Sequence, residues 1–223
     1  MVAMIQKAVG CYPDSVWGKL TTESVKAWQR EHGLTTDGVA GPRTLAAMGI
    51  EAVTPQKTGL QVGPDSLVSG YGGKTIRLKR SKRRIDEIIV HCTATPEGMD
   101  MTVEQIRKQH KAQGWSDIGY QYVVYRDGTV NIGRDVDISG AHCVDHNAHS
   151  IGIAYVGGLE NRPGVAYSQL KAKDTRTEAQ KASLLALLMD LRKLYPKAKI
   201  YGHRDFARKD CPSFKAKEEY RNI

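Results

Sequence analysis

The run Ile88-Ile-Val-His91 constrains this chain more than any other stretch. Side chains of a strand point alternately to opposite faces, so consecutive apolar residues demand cover on both. A strand over residues 85–91 therefore belongs inside a sheet flanked by helices. The run ends abruptly at His91, followed by Cys92, Thr93, Ala94 and Thr95. Alone, a histidine at a strand end is ordinary packing. It becomes a candidate ligand if partners can reach it.

The partners lie near the other end of the chain. Tyr201-Gly-His-Arg-Asp-Phe-Ala-Arg-Lys-Asp-Cys-Pro-Ser-Phe214 sets His203 and Cys211 eight positions apart. Residues 197–201 read as a short strand, and Ser213 reads as the opening of a final polar helix. Both candidate ligands then sit on a loop, where side chains can converge on an ion. Pro212 fixes the backbone after Cys211 and suits the first turn of the next helix. Two imidazoles and a thiolate, with a fourth position left to water, form the pattern of a catalytic zinc site.

Composition bounds the rest. Hydrophobic residues make up 40% and charged residues 26%, ordinary for a soluble globular protein. No apolar run approaches the length of a membrane span, and none is expected. The start, Met-Val-Ala-Met-Ile-Gln-Lys7, lacks a basic region followed by an apolar core. No secretory signal is therefore expected, and the protein should remain at first in the cytoplasm of the cell that makes it. Cys211 reads as a ligand, while Cys11, Cys92 and Cys143 read as free thiols. Much of the net charge of +9 comes from Lys74, Arg77, Lys79, Arg80, Lys82, Arg83 and Arg84. Such a run reads as a solvated linker. It carries no aromatic interleaving, so nucleic acid is not an expected partner.

The first fifty residues hold an internal repeat. Asp14-Ser-Val-Trp-Gly-Lys-Leu-Thr21 and Asp37-Gly-Val-Ala-Gly-Pro-Arg-Thr44 share D-x-V-x-G-x-x-T. Each copy reads as a turn feeding a helix, with Thr21 and Thr44 as caps. Residues 22–32 have helical composition, with Val25 and Trp28 on one face and Gly33 ending the helix. Residues 51–84 read as a basic, glycine- and proline-containing linker. Beyond it the elements alternate. Residues 102–113 read as a helix capped by Thr102 with Gln105 at the capping-box position. Residues 119–125 and 129–132 read as strands joined through Asp127-Gly128. A strand over 150–156 and a long helix over 177–195 follow. The fold class is α/β, with a mixed central sheet flanked by helices and preceded by a small all-α three-helix domain. The expected domains are 1–50, the linker 51–84, and 85–223.

Residues 2–50 resemble the peptidoglycan-binding type 1 domain, a three-helix cell-wall binding module. The matching runs are Val25-Lys-Ala-Trp-Gln29, Gly33-Leu34, Asp37-Gly38-Val39, Gly41-Pro42 and Thr44-Leu-Ala-Ala-Met48. Ser15 departs from the usual glycine after the aspartate.

Residues 85–214 resemble the type 2 N-acetylmuramoyl-L-alanine amidases of the T-seven phage lysozyme branch, whose fold peptidoglycan recognition proteins share. The matching runs are Ile89-Val-His-Cys-Thr-Ala-Thr95, Gly114-Trp-Ser-Asp-Ile-Gly-Tyr120, Arg126-Asp-Gly-Thr-Val130 and Gly133-Arg134. They continue with Ser150-Ile-Gly152, Val156-Gly-Gly158, Gly202-His203 and Lys209-Asp-Cys-Pro-Ser-Phe214. The resemblance implies zinc ligands at His91, His203 and Cys211, and catalytic residues at Tyr120 and Lys209. It also implies that His142 and Asn147 line the substrate groove. His110, His146 and His149 read as solvent-facing. Gln121 departs from the histidine that relatives often carry after the tyrosine. Together the two resemblances imply a modular, bacteriolytic phage endolysin with peptidoglycan as substrate and Zn2+ as cofactor. A monomer is expected, released through a separate holin-type pore. The alternative is a recognition protein that binds peptidoglycan without hydrolysing it.

Overall fold

The computed structural model describes residues 2–13, 18–40, 42–50 and 65–223. Residues 14–17 and 41, which carry part of the repeated turn motif, and residues 51–64 of the expected linker lie outside the described residues. The chain divides into two compact units, residues 1–57 and 58–223.

The first unit contains three helices, α1 (Val2–Ala8), α2 (Lys19–Glu31) and α3 (Pro42–Ala47). Ile5, Val25, Leu45 and Ile50 form its core. Each helix ends the same way. Gly10, Gly33 and Gly49 adopt left-handed backbone angles, and the two amides at each end return to helix carbonyls, as Gly33 N to Arg30 O and Leu34 N to Gln29 O. These are Schellman endings, which glycine permits because it has no Cβ to clash.

Thr21 and Thr44 do not cap helices. Both lie inside them, buried, and each accepts from a glutamine: Gln6 Nε2 to Thr21 Oγ1 and Gln29 Nε2 to Thr44 Oγ1, both at 3.1 Å. The 23-residue repeat thus extends upstream to Gln6/Gln29 and Gly10/Gly33, and its conserved spacing carries a buried hydrogen bond. Gln29 also grips the turn that follows α2. It donates to Asp37 Oδ1 and Val39 O and accepts from Gly38 N.

The second unit opens with a hairpin, β1 (Ser66–Tyr71) and β2 (Lys74–Lys79), paired from Ser66↔Lys79 to Tyr71↔Lys74. The reading of 51–84 as linker therefore needs correction over its second half. Tyr71, Ile76 and Leu78 alternate into the main core, so the hairpin has an apolar face that composition alone concealed beneath its charge. Several of the basic side chains are bound as well. Lys79 Nζ lies 3.0 Å from both Asp135 and Asp137. Arg83 donates to the carbonyls of Val136, Asn147, Ala148 and Ser150.

After the hairpin come β3 (Glu87–Cys92), β4 (Thr95–Pro96), α4 (Val103–Ala112), β5 (Tyr122–Val124), β6 (Val130–Ile132), β7 (Ser150–Tyr155), β8 (Gly158–Leu159), α5 (Glu178–Leu194), β9 (Lys199–Gly202) and α6 (Ala216–Glu219). The main sheet has the order β6-β5-β7-β3-β9. β3 is parallel to β7 and β9, β5 is parallel to β7, and β6 closes antiparallel against β5. This is the expected mixed sheet. The expected capping box of Thr102 with Gln105 is present on α4, and α5 carries another, Thr177 with Gln180.

The two faces of the sheet have separate cores. Ile88, Val90 and Cys92 pack with Leu184, Leu187, Leu188 and Leu191 of α5. Val103 and Ile106 of α4 pack with Ile118, Val123 and Val156 on the other side. His91 follows the alternation away from Cys92 and faces this second side. Ser213 does not open the final helix, which begins at Ala216. Its backbone is left-handed (φ 71°), and its hydroxyl donates to Gly158 O at 2.7 Å.

Candidate metal centre

Strand register brings two of the candidate ligands together. β3 and β9 pair up to Val90↔Gly202, so the next residues, His91 and His203, emerge side by side at the carboxyl ends of neighbouring strands. Their ring centroids are 4.7 Å apart. The chain then loops outward and returns, with Arg204 N donating to Cys211 O at 2.7 Å. Cys211 Sγ lands 3.7 Å from His91 Nδ1. One ligand atom from each of His91, His203 and Cys211 falls within 4.8 Å of the others.

This donor set fits zinc. Nitrogen and sulfur ligands of a tetrahedral zinc stand about 3.5 Å apart, given ordinary bond lengths. The observed Nδ1 to Sγ separation needs little change to reach that. The neighbouring Cys92 thiol and burial push the Cys211 thiol upward, while the backbone N–H of Cys92, which donates to Cys211 Sγ at 3.3 Å, and the Lys209 cation act the other way.

Electrostatics keep the imidazoles neutral, the form that binds metal. Burial holds His91 well below the usual histidine range, and His142, His203 and the Lys209 cation add to the effect. Burial and Lys209 lower His203 likewise. Lys209 itself is exposed at the rim of the loop. Tyr120 sits with its ring centroid 5.2 Å from that of His91. Burial, and then the neighbouring thiols, push its phenol upward, so it keeps its proton and remains a hydrogen-bond donor.

His142 and Asn147 are differently placed from the groove-lining positions that the resemblance implies. His142 is only 7% exposed and lies behind His91, its Nδ1 3.0 Å from His91 Nε2. With His91 Nδ1 turned toward Cys211, the Nε2 proton donates to His142 Nδ1, and His142 Nε2 faces Ser150 Oγ at 3.4 Å. Burial depresses His142 to about 3, which preserves its role as acceptor. Asn147 Oδ1 accepts from the amides of His142 and Cys143 and so folds the loop that presents this ring.

Several supporting residues were not legible as such. Gly152 and Gly140 flank the His142 ring; a Cβ on either would lie 2.5 Å or 2.4 Å from its Cδ2. Gln121, the departure from the family pattern, is wholly buried. It accepts from Gly152 N and donates to Ile138 O, which makes it a brace between β7 and the loop that follows β6. His110 is buried rather than solvent-facing; its Nδ1 accepts from Gly119 N just before Tyr120. Arg134 secures the same approach by donating to the carbonyls of Asp117, Ile118 and Ser139. The only sequence signal for these roles is proximity to the motifs. A cleft of about 560 Å³, lined by Leu170, Lys171, Ala172, Arg204, Asp210 and Ser213, opens beside the Cys211 loop.

Known proteins share this arrangement of sequence. The family description of N-acetylmuramoyl-L-alanine amidase matches residues 81–214, and that of a peptidoglycan binding domain matches residues 7–48. The endolysin of Enterobacteria phage K11 is 41% identical over 133 residues, which is 60% of this chain and 83% of that protein. The endolysin of Escherichia phage T7 is 39% identical over 138 residues, 62% of this chain and 87% of that protein. Among solved structures, N-acetylmuramoyl-L-alanine amidase LysC from Clostridium intestinale URNW is 26% identical. It covers 72% of this chain and 90% of its own, with a TM-score of 0.50.

Proposed function

The chain belongs to the N-acetylmuramoyl-L-alanine amidase family, and from that premise we propose a zinc-dependent phage endolysin that its N-terminal helical unit directs to the cell wall. The activity is that of an N-acetylmuramoyl-L-alanine amidase, cleavage of the amide between N-acetylmuramic acid and L-alanine in peptidoglycan. The zinc dependence rests on one observation above others. His91, more than a hundred residues upstream of the other two, and His203 and Cys211 offer donor atoms within 4.8 Å of one another.

Bound by these three residues, zinc supplies a Lewis acid and an acidified water for attack on the amide. The protein's own groups do the rest. Lys209 holds a positive charge at the rim, where the amide oxygen becomes negative as the carbonyl turns tetrahedral. A thiolate ligand reduces the charge of the centre, and this cation offsets that loss. Tyr120, kept protonated by burial, donates a hydrogen bond to the same oxygen or orients the water. His142 fixes the tautomer and plane of His91. The match of residues 7–48 to a peptidoglycan binding domain supports the targeting role, since attachment raises the concentration of the catalytic unit at its polymer. The endolysin relatives support action on the host cell wall.

Product analysis on purified peptidoglycan tests this reading. New L-alanine amino groups without new reducing sugars, lost on chelation and restored by zinc, are the expected result. Peptidoglycan that binds the protein yet stays intact in the presence of zinc would overturn it in favour of recognition without hydrolysis.

A further inference from the structure

We propose that Glu87, His146 and His149 form a second divalent-metal site, separate from the His91–His203–Cys211 cluster. One donor atom from each lies within 4.8 Å of the other two. Glu87 Oε2 is 2.8 Å from His146 Nδ1 and 3.5 Å from His149 Nε2. Nitrogen and oxygen ligands of a tetrahedral first-row ion stand about 3.3 Å apart. An ion can therefore enter with shifts of tenths of an ångström in two separations and a modest closure of the third.

The scaffold under these side chains is already fixed. Glu87 opens β3 and pairs with Ser150 across the parallel ladder. Residues 147–149 form a single tight turn, and His149 O accepts from Asp86 N at 2.9 Å. Ser150 Oγ donates to His146 O at 2.7 Å. Arg83 binds the carbonyls of Asn147, Ala148 and Ser150, so its charge is spent on the backbone of the turn. Contact with the Phe206 ring, tilted by 33° at 3.8 Å between centroids, sets the orientation of His146. The three side chains remain open enough for an ion and its water to enter, at 16%, 25% and 35% exposure for Glu87, His146 and His149.

The donors define the ligand class. Two imidazoles and one carboxylate, with no sulfur, suit a borderline divalent ion such as Zn2+, Ni2+ or Cu2+. An ion pair accounts for one histidine against the single carboxylate, and a divalent cation accounts for both. Glu87 and His91 are four residues apart along β3, roughly 13 Å. The two ions would share no ligand and would not form a two-metal catalytic pair. This ion instead fastens the loop that carries His142 and presses His146 against Phe206, which lies in the segment between His203 and Cys211.

Metal content and cobalt spectroscopy test the site without reference to activity. After dialysis against excess zinc at neutral pH and removal of loose metal, the wild-type chain should retain a second equivalent. His146→Gln with His149→Gln should lose that equivalent alone, and with Co2+ should keep the thiolate-to-cobalt charge-transfer band of the Cys211 centre. Glu87→Gln, a nearly isosteric change, should weaken retention of the same equivalent. Cys211→Ser should lose the band and keep the second equivalent. A single equivalent in the wild type, or a second equivalent untouched in the histidine double variant, would overturn the proposal. Loss of the thiolate band from the wild type would instead count against the His91–His203–Cys211 reading, so the two fail separately.

Discussion

His91 and His142 meet nitrogen to nitrogen, Nε2 to Nδ1 at 3.0 Å, with the two rings nearly perpendicular. The contact turns the other nitrogen of His91 toward Cys211. Groups that orient a metal-bound imidazole typically change metal affinity about 10–100-fold when removed. His142→Ala should therefore weaken zinc retention by that order while leaving the far-ultraviolet circular dichroism intact. Competition with a chromogenic chelator measures it, and His142→Gln, which keeps an acceptor, should recover part of the loss.

The ligands themselves should behave as a unit. His91→Ala, His203→Ala and Cys211→Ala should each abolish lysis and the zinc equivalent held at this centre, leaving zinc at Glu87, His146 and His149 in place. A variant that kept both would remove its residue from the metal centre.

Gly152 stands where no side chain fits. A new methyl there would lie 2.5 Å from Cδ2 of the His142 ring, which its contact with His91 and its loop hold in place. Gly152→Ala should cost about 1–3 kcal/mol, the usual range for overpacking a core. The melting temperature should fall, and zinc retention should fall with it.

Gln29 is the hub of the N-terminal unit. Gln29→Leu keeps the volume but strips partners from Thr44 Oγ1 and Gly38 N, both buried. Each buried group left unpaired costs about 1–3 kcal/mol. Amide hydrogen exchange should quicken across residues 2–50 and stay unchanged in the second unit.

Asp137 links stability to acid pH. The Lys82 amide first, and then Lys79, hold its carboxylate at about 2, against an ordinary 3.8. A carboxyl with a depressed folded value stabilises the fold above the unfolded value and loses that contribution as pH falls through the folded one. Stability of the second unit should thus decline between about pH 4 and pH 2. Asp137→Asn should flatten that part of the pH profile in denaturant titrations.

Much of this was legible beforehand because it is written in local chemistry. Thr102-x-x-Gln105 announces its helix start, and Asp127-Gly128 announces its hairpin. His91, His203 and Cys211 could be named from motif and position. The basic segment misled, because seven cations over residues 74–84 outweighed an alternation of apolar residues too short to stand out. His110 and Gln121 misled for a related reason. A polar residue does not declare whether water or a buried amide will satisfy it.

By itself the sequence determined what short-range physics controls: apolar periodicity, capping pairs, glycines that free the backbone, and which residue types can bind an ion. It could not decide distances between segments far apart in the chain. Only the β3–β9 register sets His203 beside His91, and only the return of the loop through Arg204 and Cys211 completes the set. His142 turns toward His91 because Gly140 and Gly152 leave room for it and Asn147 folds its loop. Such placements follow from packing of the whole sheet, where each side chain takes the space that its neighbours leave.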